Sequence, residues 1–277
     1  MAVAKQYQGD VDAILAKQRV NGGYYWATAD GRWGVGSPFS TFDSCLMLTE
    51  LGVPKSHPAL KGAAATILEA WQEDGRIRPA PKGAVYPCHT ANAARVLCRL
   101  GYARDRRLKR TFEQLLEVQH DDGGWRCSTV KLGRSAKTDA SNPGVTLAAL
   151  DAFRFTGHLN REKKLDWAVQ TLLDHWKARK PLGPCDFGIG TLFGKTEYPF
   201  LRYNLFFYVY VLSFYAAAGK SAAFKGALKT LRSKLVDGKV VVENPNRQLA
   251  KFALCRKGEP SDAATKRYRE ILKNVGG

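Results

Sequence analysis

Three cysteines stand where their thiols could share one site. Cys88 lies at the start of a predicted apolar helix, Cys127 follows a Gly-Gly-Trp turn, and Cys185 lies in GPCDFG ahead of another apolar helix. Because zinc binds well to thiolates, three of them at one end of a helical protein predict a zinc site at the rim of a cavity. Cysteines inside predicted apolar helices are instead typical small core residues. These are Cys45, Cys98 and Cys255.

The remaining ligand of such a site could come from His89 or Asp186, which directly follow two of the three cysteines. His120 and Asp139 are further candidates. An open fourth position would make the zinc catalytic, whereas a filled one would make it structural. The same residues also have ordinary interpretations, the cysteines as small buried side chains and His89 as a helix cap.

Two aspartates lie near the starts of predicted apolar helices and could act as acids or bases. Asp43 lies in TFDSC and Asp139 in TDASN, and His89 could share their role. A carboxyl group at a helix start serves either as a proton donor or as a helix cap. The sequence leaves both roles open.

Residues 197–215, EYPFLRYNLFFYVYVLSFY, are rich in aromatic side chains. These side chains cover more than one face of the predicted helix, so some of them, such as Tyr203, could line a cavity while others form an ordinary core. Aromatic faces suit isoprenoid chains and stabilise carbocations. Arg202 and Asn204, together with Arg247, could hold the phosphate or carboxylate head of a hydrophobic ligand.

Two kinds of helix must position these residues. Polar-faced segments, predicted to be outer helices, alternate with more apolar segments, predicted to be inner helices. The predicted outer helices are 8–20, 58–73, 105–119, 160–178, 221–235 and 261–274. The predicted inner helices are 39–51, 88–100, 143–156, 199–217 and 246–256. About five such pairs predict an all-α protein, an α/α toroid in a single domain over residues 1–277, whose ring need not close fully.

An internal repeat supports this architecture. Leu116, Gln119 and Gly123 fall at intervals of three and four residues, and comparable spacings recur around positions 18, 71 and 234. A repeat of roughly fifty residues indicates one helix pair copied around an axis.

The segment VQHDDGGW, residues 118–125, resembles the Gln-Trp repeat of terpenoid cyclases. The whole pattern resembles the prenyltransferase and squalene oxidase repeat family, whose members fold as α/α toroids. The resemblance implies a cavity for an isoprenoid-like substrate. Class II cyclases carry their acid in a DxDD tetrad and diphosphate-ionising enzymes carry DDxxD, and this sequence contains neither motif.

Within the same family, protein prenyltransferases hold zinc with an Asp, a Cys and a His that opens an inner helix. The segment YPCHTANAARVLCRLGY at 86–102 resembles that helix start. The resemblance therefore implies His89 as a zinc ligand, although no preceding Asp-x-Cys pair with matching surroundings accompanies it.

The formal net charge of +18 predicts attraction for anions. Nucleic acid or an acidic partner could bind through the basic outer helices, although a solvated basic surface explains the same charge. Two functions follow: an enzyme that binds a hydrophobic, isoprenoid-like ligand with an anionic head beside a zinc site, or a non-enzymatic basic toroidal scaffold. No segment has the composition of a transmembrane span, and the start of the chain lacks a hydrophobic signal segment, which predicts a cytoplasmic protein.

Overall fold

The computed structural model describes residues 3–18, 20–21, 24–34, 38–127, 139–183 and 185–276. Numbered in chain order, its helices are α1 Gln8–Leu15, α2 Thr41–Glu50, α3 Pro58–Glu69, α4 Pro87–Leu100, α5 Arg106–Glu117, α6 Pro143–Phe153, α7 Lys163–Ala178, α8 Thr191–Gly194, α9 Leu205–Leu212, α10 Ala216–Gly219, α11 Ala222–Arg232 and α12 Asp262–Val275. Short 3-10 helices at Lys5–Tyr7 and Arg247–Leu249 accompany them. Two antiparallel ribbons pair β1 Val20–Asn21 with β2 Tyr24–Tyr25, and β3 Leu235–Val236 with β4 Lys239–Val240.

Helices α2, α4, α6 and α9 form the inner layer, in which α4 packs between α2 and α6, and α6 also contacts α9. Every residue of α9 from Leu205 to Leu212 is buried, and in α6 every residue except Gly144 is buried. A helix that is apolar on all sides cannot lie at the surface, so the sequence of these segments places them inside.

The outer layer consists of amphipathic helices. In α5, Leu108, Phe112 and Leu115 are buried while Lys109 and Glu113 are exposed, so one face packs on the inner layer and the other faces solvent. Helices α3 and α5 pack on α4, α7 packs on α6, and α11 and α12 pack on α9. The alternation of outer and inner helices confirms the predicted α/α toroid.

The first and last parts of the chain meet. The buried carboxylate of Asp10 in α1 accepts hydrogen bonds from the backbone N–H groups of Ala253 at 3.0 Å and Leu254 at 2.8 Å. At the other end of the inner layer, Arg267 Nε of α12 lies 2.7 Å from Glu50 Oε2 of α2. These contacts join the two ends of the ring.

Two predicted inner helices differ from the structure. The segment 246–256 forms only the 3-10 helix Arg247–Leu249, because Asp10 binds the two amides that helical hydrogen bonds would otherwise use. The segment 199–217 becomes helical only at Leu205, where the Asn204 side chain caps α9, and the Tyr198–Pro199 peptide bond before it is cis.

The VQHDDGGW segment links three helices. Gln119 Nε2 donates a hydrogen bond to the carbonyl of Lys164 at the start of α7, 2.7 Å away. Trp125 is fully buried, donates from Nε1 to the carbonyl of Leu115 in α5 at 2.7 Å, and stacks on Phe153 of α6. The segment is therefore architectural. Within the described ranges, no helix combines the length and the apolarity that a bilayer span requires.

Candidate functional site

The inner helices α4, α6 and α9 begin around a cavity of about 530 Å³, here called the mouth cavity. Its walls come from the first three turns of α4, from the first turns of α6 and α9, and from segments 185–188 and 192–203. Cys127, Asn142 and Asn244 also line it. Ligand sites for small molecules commonly have volumes of about 300–1,000 Å³. The mouth cavity is therefore large enough to hold a small organic ligand.

Helix caps set the position of these first turns. Asn142 Oδ1 accepts hydrogen bonds from the N–H groups of Gly144 at 2.9 Å and Val145 at 3.2 Å, and Asn204 Oδ1 accepts one from Phe207 at 3.0 Å. Such caps satisfy backbone donors that a helix start leaves without partners. The oxygen of Asn204, predicted to bind a ligand head group, is thus used by the cap of α9.

The structure brings the three predicted thiols into this cavity. Cys88, Cys127 and Cys185 all line it, and the Sγ atoms of Cys88 and Cys127 lie 3.9 Å apart. The hydrogen bond shared with Cys127, followed by burial and the proximity of the Cys127 and Cys185 sulfurs, raises the pKa of the Cys88 thiol far above its usual range. In this arrangement Cys88 is a protonated thiol at neutral pH.

The metal interpretation of these thiols requires further ligands. A separation of 3.9 Å is close to the distance of about 3.8 Å expected for two thiolates on one tetrahedral zinc at 2.3 Å. Among the residues that the structure describes, however, no group of three His, Cys, Asp or Glu side chains is arranged to hold a metal ion. Asp186 lines the cavity and is exposed, whereas His89 is not among its lining residues. Zinc stays a prediction.

Asp43, another predicted acid, is not among the lining residues of this cavity, but the charges of two lining residues act on its carboxyl group. It sits in the first turn of α2, where the Ser40 side chain accepts a hydrogen bond from its backbone N–H at 3.2 Å, so its own carboxyl group is not the cap. Burial raises the pKa of this carboxyl to about 7, although the positive charges of Arg95 and Arg202 act in the opposite direction. Both arginines line the mouth cavity.

The other two predicted acid or base residues have structural partners. His89, in the first turn of α4, accepts a hydrogen bond from the Tyr86 N–H at its Nδ1, 3.4 Å away, and burial lowers its pKa. Asp139 pairs with Arg126, with 2.9 Å between Oδ1 and the guanidinium group. Neither residue lines the mouth cavity.

The predicted head-group residues separate into two sets. Arg202 lines the mouth cavity, is about half exposed, and pairs with Glu197 at 2.7 Å. Arg247 is exposed in its 3-10 helix and does not line the cavity. The structure therefore places only Arg202 of these two guanidinium groups at the cavity.

An aromatic wall faces the charged residues. Tyr203 lines the cavity, lies 5.0 Å from Phe193 and 5.5 Å from Phe187 between ring centroids, and shares a 2.9 Å hydrogen bond with His175. Phe207 of α9 completes this wall beneath the guanidinium group of Arg95, at 4.4 Å. These rings give the cavity an apolar side.

Two charged residues of the cavity were not identified from the sequence. Arg95 is buried, pairs with Asp151 at 2.5 Å and donates to the carbonyl of Phe200 at 2.6 Å. Glu197 is buried, and burial raises its pKa against the opposing charge of Arg202. Arg95 is one of two charged residues within the otherwise apolar helix α4, and this was the available signal for it. No comparable local signal marked Glu197.

No protein-family model matches the sequence, and no curated relative matches it. Among solved structures, a protein from Actinoplanes is 16% identical, with a TM-score of 0.50 over 96% of this chain and 72% of the other. The type II terpene cyclase MstE from Scytonema, in its apo form, is 15% identical, with a TM-score of 0.49 over 98% of this chain and 74% of the other. A variant of that cyclase in complex with its substrate, geranylgeranyl dihydroxybenzoate, is 16% identical, with a TM-score of 0.48 over 98% and 77%. The structural neighbours of this chain thus include a terpenoid cyclase, and at these identities the likeness concerns the fold alone.

Proposed function

We propose that this protein is an enzyme of the terpenoid cyclase type, which binds a hydrophobic, isoprenoid-like substrate in the mouth cavity. The observation that carries the proposal is the environment of Asp43, a carboxyl group that does not itself line the cavity but lies close enough to two lining arginines for their charges to act on it. Burial raises the pKa of its carboxyl group to about 7, and the positive charges of Arg95 and Arg202, two residues of the cavity wall, act in the opposite direction. A carboxyl group in this environment keeps its proton for a large fraction of the time at neutral pH.

The chemistry proposed for Asp43 is proton donation. Its proton would pass to a carbon–carbon double bond of the substrate, which leaves a carbocation on the substrate and a carboxylate on Asp43. Attack by a second double bond of the same chain closes a ring, and transfer of a proton from the resulting carbocation to water ends the reaction. Asp43 then takes up a proton from solvent. The guanidinium groups of Arg95 and Arg202 would stabilise the carboxylate that the first step leaves behind.

The aromatic wall suits the intermediates of such a reaction. Phe187, Phe193, Tyr203 and Phe207 line the same cavity. Their ring faces carry partial negative charge, which attracts a cation held close to them, and they present apolar surface to an isoprenoid chain. This wall supports a hydrophobic substrate over a polar one.

Arg202 is the residue proposed to bind an anionic head group. Its guanidinium group is 52% exposed and lies at the cavity, where Glu197 is its described partner. A phosphate or carboxylate could share this guanidinium group with Glu197 by charge-assisted hydrogen bonds.

The test uses farnesyl diphosphate and geranylgeranyl diphosphate as probes, in D₂O. We expect a cyclised product that has gained one deuterium, because the proton added to the double bond comes from Asp43 and exchanges with solvent. Asp43→Asn should lower the rate by about 100-fold or more, the usual effect of a general acid. Asp174→Asn, which changes an exposed carboxylate on α7, serves as the control and should retain the rate. Full activity of Asp43→Asn, or no binding of either probe, would refute the proposal.

Two further expectations stay predictions. Zinc bound by Cys88, Cys127 and Cys185 is one of them, and no step proposed here depends on it. The other is the scaffold that binds nucleic acid or an acidic partner. Part of the basic surface is already neutralised within the chain, since Arg110 pairs with Glu117 at 2.8 Å.

A further inference from the structure

A second cavity, of about 360 Å³, lies at the opposite end of the inner helices and is here called the rear cavity. Thr49 at the end of α2, Arg99 at the end of α4 and Arg154 just after α6 all line it. Helix α12 contributes another side. The rear cavity shares no lining residue with the mouth cavity, so a ligand bound there would be separate from the proposed substrate.

Cations dominate the lining of the rear cavity. The positively charged side chains are Lys55, Arg99, Arg154, Arg267 and Lys273. Against them, Glu270 is the single carboxylate that lines the cavity within the described part of the chain. Such a set of side chains attracts anions.

Two carboxylates behind the lining neutralise part of this charge. Glu50 lies 2.6 Å from Arg99 and 2.7 Å from Arg267. Asp151 lies 2.5 Å from Arg154 and also holds Arg95, which belongs to the mouth cavity. With Arg95 included, six cations face the three carboxylates Glu50, Asp151 and Glu270, an excess of three positive charges.

One of these three excess charges belongs to the arginines, and the other two belong to Lys55 and Lys273, which are exposed. The side chains of Arg99 and Arg154 are each only 8% exposed. Burial removes the water that would solvate such charges, and the carboxylates of Asp151 and Glu50 offset this cost, since they raise the pKa of Arg99 in spite of burial. An anion in the rear cavity would offset the remaining positive charge, most of which the two lysines carry at the edge of the cavity.

Arg99 also has a donor left over. Its Nε is buried and has no hydrogen-bond partner among the described residues. Buried N–H groups of this kind are nearly always paired, since each one without a partner costs about 1–3 kcal/mol. The side chain that lines the cavity therefore has one buried donor available for a further acceptor.

Aromatic rings hold a second guanidinium group of the cavity in a fixed orientation. Arg154 lies over the ring of Phe155 at 4.1 Å and over that of Phe214 at 4.5 Å. Both rings line the rear cavity. They leave the donors of Arg154 oriented in one plane and offer an apolar surface next to the charges.

We propose that the rear cavity binds the phosphate group of a small molecule. Phosphate carries more than one negative charge and several acceptor oxygens, which suits an excess of three positive charges and a set of arginine donors. The volume limits the ligand to a compact one, and the aromatic rings favour a phosphate joined to an organic group. The inference does not rest on the function proposed for the mouth cavity.

The experiment titrates the protein with pyrophosphate, inorganic phosphate and phenyl phosphate by isothermal titration calorimetry, with sodium chloride holding the ionic strength constant. We expect one molecule of pyrophosphate per chain. The double variant Lys55→Ala/Lys273→Ala removes two exposed cations of the rear cavity and should weaken this binding about tenfold or more. Tighter binding of phenyl phosphate than of inorganic phosphate would identify the ligand as a phosphate ester, and the reverse order would identify the free anion.

Two control variants locate the binding. Lys109→Ala removes an exposed lysine of α5 outside both cavities and should bind pyrophosphate as the wild type does. Arg202→Ala alters the mouth cavity alone and should also leave the affinity unchanged. The inference is wrong if millimolar pyrophosphate gives no more heat than chloride, if the double variant binds as the wild type does, or if Arg202→Ala abolishes binding.

Discussion

Two aspartates of the inner helices show how neighbouring charges decide the state of a carboxyl group. The charges of Arg95 and Arg202 act on the carboxyl group of Asp43 in α2, but they do not outweigh burial. Burial therefore raises the pKa of Asp43 to about 7. Burial also opposes ionisation of Asp151 in α6, but Arg154, Arg99 and Arg95 reverse this effect and lower its pKa. The first carboxyl group can donate a proton at neutral pH, whereas the second is a permanent anion.

The raised pKa of Asp43 predicts that the effect of Asp43→Asn on the free energy of unfolding depends on pH. The folded-state pKa of about 7 lies above the value of about 3.9 for an unfolded aspartate. Between these values the folded protein binds more protons than the unfolded chain, so the free energy of unfolding falls as pH rises. Between pH 4 and pH 8, the free energy of unfolding of the wild type should fall by at most about 4 kcal/mol relative to that of the variant.

Urea denaturation of both proteins at several pH values measures this effect. The free energy of unfolding of the wild type minus that of Asp43→Asn should decrease as pH increases. Most of this decrease should occur below about pH 7. If the two proteins differ by the same free energy of unfolding at every pH, the pKa of Asp43 is not raised in the folded protein.

Among the secondary-structure elements, the VQHDDGGW turn fixes the position of the outer helix α5 relative to the next helix pair, α6 and α7. Gln119 and Trp125 reach α7, α5 and α6 from this one turn. The turn requires glycine at position 123, where φ is +92° and an added Cβ would lie 2.8 Å from the carbonyl oxygen of Trp167. The repeat motif is therefore explained by close packing of backbone against backbone.

Gly123→Ala should lower the free energy of unfolding by about 2 kcal/mol or more, because it adds both a clash and a strained backbone. Gly157→Ala is the matched control, since a Cβ there meets nothing within 4 Å and the backbone is not left-handed. Its effect should stay within about 1 kcal/mol. Chemical denaturation measures both variants, and equal losses would contradict this account of the turn.

At the scale of the whole molecule, a few long-range contacts close the ring. Asp10 and the amides of Ala253 and Leu254 are separated by more than 240 positions in the chain, yet they form two hydrogen bonds. Arg267 and Glu50 join the same two parts of the ring at the rear cavity. Because the two ends support each other, loss of either contact affects the toroid as a unit.

Asp10→Ala should lower the free energy of unfolding by about 2–4 kcal/mol, because two backbone donors lose their acceptor. Asp12→Ala, on the exposed side of the same helix, should change it by less than about 0.5 kcal/mol. Thermal unfolding compares the two variants, and limited proteolysis should cut Asp10→Ala faster in the region of residues 247–255. Equal stabilities of the two variants would count against this mode of ring closure.

The alternation of outer and inner helices follows from the amino-acid sequence alone, because the spacing of apolar side chains along the chain decides which face of each helix is buried. The sequence also indicated that Cys88, Cys127 and Cys185 precede inner helices, which places them at one end of the ring. The same spacing could not exclude a helix over 246–256, since the contact that prevents it comes from Asp10 at the other end of the chain.

Which charges are buried together depends on the folded chain and could not be predicted from the sequence. The sequence shows Arg95, Arg99 and Asp151 as isolated charges in apolar helices, and folding brings them together with Glu50 and Arg267 between the two cavities. Folding likewise decided that Asp43 lies near two arginines and that Asp139 pairs with Arg126 instead. The charge and the hydrogen bonds of a buried group depend on its spatial neighbours, and in a ring of helices these neighbours come from distant parts of the chain.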